Sequence, residues 1–177
     1  PTPNSARYLG PITLNRSVML QARSFDLAAD NPLQPSRTIS GTYIAAAPEL
    51  EDNTWNVPII ILDTLSNGVP QSSDKDLVPV NVASFGLSDT NQRSSLSLPN
   101  VEYVGRGGIR DRGSSTRSQP KLNLAFELWG PNGTNADDDY DAVIGGLPPE
   151  SDWVLYAPFI YDRAMVRNQF MFQLARS

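Results

Sequence analysis

Cysteine and histidine are both absent from this 177-residue chain, and lysine occurs only twice, at Lys75 and Lys121. Without cysteine there is no disulfide framework and no thiolate chemistry. Without histidine the commonest general base and the commonest zinc ligand are missing. Serine–histidine and cysteine–histidine catalysis are therefore excluded within the chain. Charged residues are scarce, at 19%, and the net charge of −5 argues against a general nucleic-acid binder. No apolar run is long enough to span a bilayer, so no membrane span is expected. There is neither an initiator methionine nor a signal peptide, and the chain is expected to begin downstream of the true start.

What is present points to β structure. Hydrophobic residues make up 40%, enough for a core, and proline and glycine number 15 and 12. Short strands joined by turns suit this mixture better than long helices. Pro11–Leu14, Val18–Phe25 and Thr38–Ile44 read as strands, the second alternating cleanly. They are expected to form part of a β-sandwich over residues 1–47. Residues 48–56 read as a polar, acidic linker. Beyond it, Val57–Thr64, Leu77–Phe85, Tyr103–Arg112, Leu122–Trp129 and Trp153–Ala157 are predicted strands, with Pro79 marking an edge or a strand start. The last element is a predicted helix with Asp162 as N-cap and Val166, Phe170 and Leu174 as its apolar line. The fold class is thus mainly β with a C-terminal helix.

Five of the basic residues fall between Arg106 and Lys121, in RGGIRDRGSSTRSQPK. Guanidinium groups bind phosphate or carboxylate with two parallel hydrogen bonds. Gly107, Gly108 and Gly113 would let backbone approach a ligand. On a strand, Arg110 and Arg112 share one face, with Ile109 and Asp111 on the other. In the next strand Lys121, Asn123, Ala125 and Glu127 oppose Leu122, Leu124, Phe126 and Leu128. Two readings stay open on spacing: a phosphate or nucleotide site, or ion pairing with the surplus carboxylates. The acidic run NADDDYD (135–141) suits calcium by charge, although it lacks the EF-hand's glycine and terminal glutamate. Asn15-Arg16-Ser17 and Asn132-Gly133-Thr134 fit the glycosylation sequon. Trp129 and Trp153 read as core aromatics or, alternatively, a carbohydrate platform.

Two resemblances add to this reading. Tyr8, Gly10-Pro11-Ile12-Thr13-Leu14, Val18–Arg23, Ser36-Arg37-Thr38 and Gly41-Thr42-Tyr43 resemble the immunoglobulin-like module found near the C-terminus of chitobiases and appended to many bacterial surface proteins. That module serves as an appendage or spacer. Ile109-Arg110, Arg112-Gly113, Ser115, Pro120-Lys121, Leu147-Pro148, Asp152-Trp153-Val154-Leu155, Asp162 and Arg167-Asn168 resemble, in order, the motifs of the CotH kinase family, named after a bacterial spore coat protein.

The second resemblance covers roughly residues 57–177. It implies the smaller, sheet-containing lobe of a divergent kinase-like fold, whose members transfer phosphate from ATP to protein serines with a metal ion. It makes Lys121 the expected contact to nucleotide phosphates, supported by Arg110 and Arg112. Asp111 stands where the family has glycine, and Leu122 where a second lysine often follows. The family's catalytic and metal-binding aspartates lie downstream of the terminal helix, so the chain is expected to be a non-catalytic fragment. No catalytic and no metal-ligating residue is assigned within it. ATP and magnesium would belong to the parent protein. The expected partners are a protein substrate, the remainder of the parent chain, or further copies in self-assembly, in a secreted or bacterial cell-surface setting. The alternative is a non-catalytic surface or assembly protein.

Overall fold

The computed structural model describes all residues except 29, 31, 69–75, 98, 131, 132, 134, 135 and 177. Strand accounts for 34% of the chain and helix for 11%, so the expected class, mainly β with a C-terminal helix, is the one observed. The strands are β1 (Val18–Ala22), β2 (Ile39–Tyr43), β3 (Thr54–Trp55), β4 (Ile59–Asp63), β5 (Val78–Gly86), β6 (Ser94–Ser95), β7 (Asn100–Arg112), β8 (Asn123–Trp129) and β9 (Asp152–Leu155), followed by α1 (Arg167–Arg176).

Five strands form one antiparallel meander in the order β4-β5-β7-β8-β9. Cross-strand partners share a face, and this separates the sheet chemically. One face carries Ile60 and Leu62, Val80 and Val82, Tyr103 and Ile109, Phe126 and Leu128, and Trp153 and Leu155. Most of these are buried, and with Ala142 and Ile144 from the loop before β9 they make the hydrophobic core. The other face carries Asn81, Arg106, Arg110, Arg112, Asn123, Glu127 and Asp152. The alternation seen in β7 and β8 thus sets a polar group of side chains against the core, while toward β4 the same second face also carries Ile59, Ile61, Ala83 and Phe85.

Pro79 sits near the start of β5, beyond the stretch that β4 accompanies, so its missing N–H costs no ladder bond on that side. A β-bulge interrupts the β5–β7 register, leaving Glu102 without a partner between Val101 and Tyr103. The bulge frees the Glu102 carboxylate to accept hydrogen bonds from Ser84 Oγ at 2.7 Å, Gly145 N at 2.7 Å and Gly146 N at 2.9 Å. Both glycines have positive φ, +62° and +74°, so successive N–H groups converge on one acceptor. This clamp ties the loop that supplies Ile144 to the sheet.

The N-terminal region departs from expectation in two ways. Pro11–Leu14 forms no strand, and the expected three-stranded fragment reduces to the antiparallel pair β1–β2. An isolated pair is marginal, and this one leans on the polar face of the meander. Asn81 Nδ2 donates to the carbonyls of Val18 (3.3 Å) and Tyr43 (3.5 Å), which pair with each other at one end of β1–β2, and Arg106 Nη1 contacts Met19 Sδ. The segment expected as a linker is also structured. Pro48–Leu50 is a 3-10 turn, and β3 pairs with β6, where Arg93 donates to Thr54 Oγ1 and O, both at 2.6 Å.

The terminal helix begins five residues later than its expected cap. Pro158–Ile160 forms a 3-10 turn and Met165 adopts φ +54°, a left-handed conformation that interrupts helical continuity. Asp162 still serves the helix start: its Oδ2 accepts the Arg167 N–H at 2.7 Å. None of the α1 residues is buried, and Phe170, Phe172 and Leu174 are exposed.

Candidate functional site

A cavity of about 920 Å³ opens at the end of the sheet where β7 turns into β8. One wall is the connecting segment from Arg117 to Leu122. The other is the end of β9 and the residues after it, Val154 to Ala157. Leu124 and Leu155, paired in register, contribute apolar surface from the core side of the sheet.

Local chemistry shapes this end of the sheet. Gly113 turns the chain with φ +100°, and a Cβ there would run into the Thr116 hydroxyl. The next turn closes through Gln119 N donating to Thr116 O at 3.2 Å. The opposite wall is fastened to β8 by the Ala157 N–H, which donates to Asn123 Oδ1 at 2.7 Å. Gln119 Nε2 reaches the Tyr161 hydroxyl at 3.5 Å, linking the two sides of the opening. The volume and the mix of apolar surface with a few polar groups fall within the range of small-molecule sites.

Lys121 lines this cavity and is exposed. Arg110 and Arg112 lie on the face opposite Leu124 and Leu155 and do not line the cavity, so the three expected ligands do not share it. Arg110 lies close enough to Glu127 to favour its charged form. Burial is the larger influence there and raises the Glu127 carboxyl, partly offset by the hydrogen bond from Trp129 Nε1. Asp111, one residue on, points to the apolar side. Its side chain is 2% exposed, and Arg117 Nε stands 2.9 Å from Oδ2. The negative charge of Asp111 is therefore under the sheet, on the side away from Arg110 and Arg112, balanced by Arg117.

Arg117 is the lining residue that sequence reasoning did not select. The signal was available: alternation puts Asp111 among apolar side chains, and a carboxylate there requires a nearby cation. The β9 wall carried no such signal, because its position follows only from sheet pairing.

Two expected glycine roles are corrected. A Cβ on Gly108 would lie 2.6 Å from Trp129 Cζ2, and one on Gly107 would collide with the Glu127 carbonyl oxygen. These glycines make room for the protein's own atoms. Trp129 is buried on the face that carries Arg106, and Trp153 stacks on the core residue Phe126 with ring centroids 6.3 Å apart, so both are packed within the protein. Asn135 of the acidic run and Asn132 and Thr134 of the second sequon lie outside the described residues. Among those described, no group of three or more potential ligands converges on a metal position.

Comparison with family models, with curated proteins and with solved structures returns no match for this chain.

Proposed function

We propose that the chain is the sheet-containing lobe of a CotH-like protein and that the cavity beside Lys121 takes ATP. In this reading the parent protein transfers phosphate to protein serines, with the chain supplying nucleotide contacts and no catalytic group. The observation that carries it is the cavity itself. A lysine placed by the ordered motifs stands at a space of nucleotide size, with apolar surface from Leu124 and Leu155 suited to a base and cationic side chains suited to phosphates. The residues present fit the nucleotide but not its metal, since no acidic cluster is formed among those described.

Calorimetric titration with ATP tests the proposal. Lys121→Ala is expected to weaken binding about tenfold, the loss of one charge-assisted contact. Arg110→Ala and Arg112→Ala, on the other face, are expected to leave affinity within twofold. Unchanged affinity in Lys121→Ala overturns the role of Lys121.

A second reading, a non-catalytic surface or assembly protein, is favoured by the exposed apolar residues of α1, among them Phe170 and Leu174 at 61% and 53% exposure. It gains if the unaltered chain shows no heat of ATP binding in the same titration.

A further inference from the structure

We infer that Arg117 grips the anionic part of whatever ligand fills the cavity, and that Asp111 is the positioning residue that aims it. The inference rests on the cavity being a ligand site, as proposed above, but not on the ligand being ATP.

Asp111 sits opposite Leu124 in the β7–β8 register, on the apolar face. Neither of its oxygens takes an aligned hydrogen bond from the described residues, so the 2.9 Å approach of Arg117 Nε is a charge contact. A buried carboxylate left alone is strongly unfavourable. The carboxylate therefore draws one side chain of an exposed loop inward and holds it against the cavity wall. Arg117 remains 39% exposed and lines the cavity. With Nε held beside Asp111 by charge, the two terminal nitrogens of its planar fork are left to a phosphate or carboxylate, which they match with paired N–H groups. Lys121, on the same wall, adds a second cation. Arg110 and Arg112 belong to the other face and take no part. The acid that stands where the resembled family has glycine becomes, in three dimensions, the anchor of the anion's receptor.

Calorimetry with pyrophosphate and, separately, ATP at low salt tests this. Arg117→Lys keeps a charge for Asp111 but removes the fork, and is expected to lower affinity for both anions about tenfold. Asp111→Asn is expected to lower affinity several-fold. The double variant Asp111→Asn/Arg117→Gln, which leaves no buried charge unpaired, is expected to bind no more weakly than Arg117→Gln alone. Melting curves on the same variants separate this from a merely structural role, in which stability and affinity would fall and recover together. Undiminished pyrophosphate affinity in both Arg117→Lys and the double variant overturns the inference, and ATP binding that still depends on Lys121 would then leave the nucleotide reading standing. Pyrophosphate binding that depends on Arg117, together with no ATP binding, supports the inference and removes the nucleotide reading. No binding of either anion by the unaltered chain overturns both.

Discussion

Replacing Glu102 by alanine should unfasten the loop that closes the core. The side chain accepts three hydrogen bonds, from Ser84 Oγ, Gly145 N and Gly146 N, at 2.7 to 2.9 Å. Hydrogen bonds to a charged group contribute ~1.5–3 kcal/mol each where shielded, but the Gly146 bond is exposed and Glu102 is only half-buried, so each is discounted. Ser84 is fully buried, and its hydroxyl would lose its acceptor, which costs ~1 kcal/mol or more. The sum is about 2–3 kcal/mol. For a chain of this length that lowers the melting temperature by about 5–10 °C. Thermal unfolding followed by near-ultraviolet circular dichroism reads this directly, because the Tyr103 and Tyr140 rings meet, tilted, at 5.8 Å beside the clamp. Glu102→Gln should fall between, since the amide keeps one acceptor and presents N–H groups to other donors. Glu51→Ala, an exposed acid outside the clamp, should shift the transition by ~0.5 kcal/mol at most. A Glu102→Ala melting temperature within about 1 °C of the unaltered chain would refute the argument that the bulge and the glycine pair hold the loop.

Two further outcomes follow from the packing. Gly108→Ala should destabilise the chain by ~1–3 kcal/mol or more and red-shift tryptophan emission, because the new Cβ meets Trp129 Cζ2 at 2.6 Å and Leu77 Cβ at 2.7 Å; an unshifted spectrum with full stability would contradict it. Burial pushes the Tyr103 hydroxyl up to about 12 from its ordinary value of 10.0, with the Arg106 backbone acting the other way. The folded value lies above the unfolded one, so the hydroxyl's contribution is complete below about pH 10 and is lost as pH rises toward about 12. Urea unfolding across that window should show stability falling with pH, and Tyr103→Phe should remove that part of the slope.

The sequence by itself determined the strand chemistry of this protein. Strict alternation in β7 and β8 put Ile109 and Asp111 on one side and Arg110 and Arg112 on the other, and the five strands of the meander were legible within one or two residues at most of their ends. Periodicity of two is a local property, so it survives without knowledge of the fold. Failures came where a local pattern needed a partner. Pro11–Leu14 had the residues of a strand but pairs with none of the described strands. Asp162 had the residue type of a cap, but the left-handed Met165 delayed the helix, and the carboxylate serves its start from outside. The glycines of the RGGI segment signalled close approach correctly, yet only the fold decided that Trp129 and the β8 backbone make that approach.

Tertiary structure alone decided the site. Alternation showed that Arg110 and Arg112 share a face, but not that the cavity opens on the other side of the hairpin. That depends on β9 pairing with β8, which brings Val154–Ala157 opposite Arg117 and Lys121 across a gap no sequence spacing encodes. The burial of Asp111 was implied by its neighbours in the strand. Its pairing with Arg117, six positions on, required the turn after Gly113 to fold the loop back beneath the sheet. Charge placed along a strand is a matter of period; charge brought to a cavity is a matter of which strands meet.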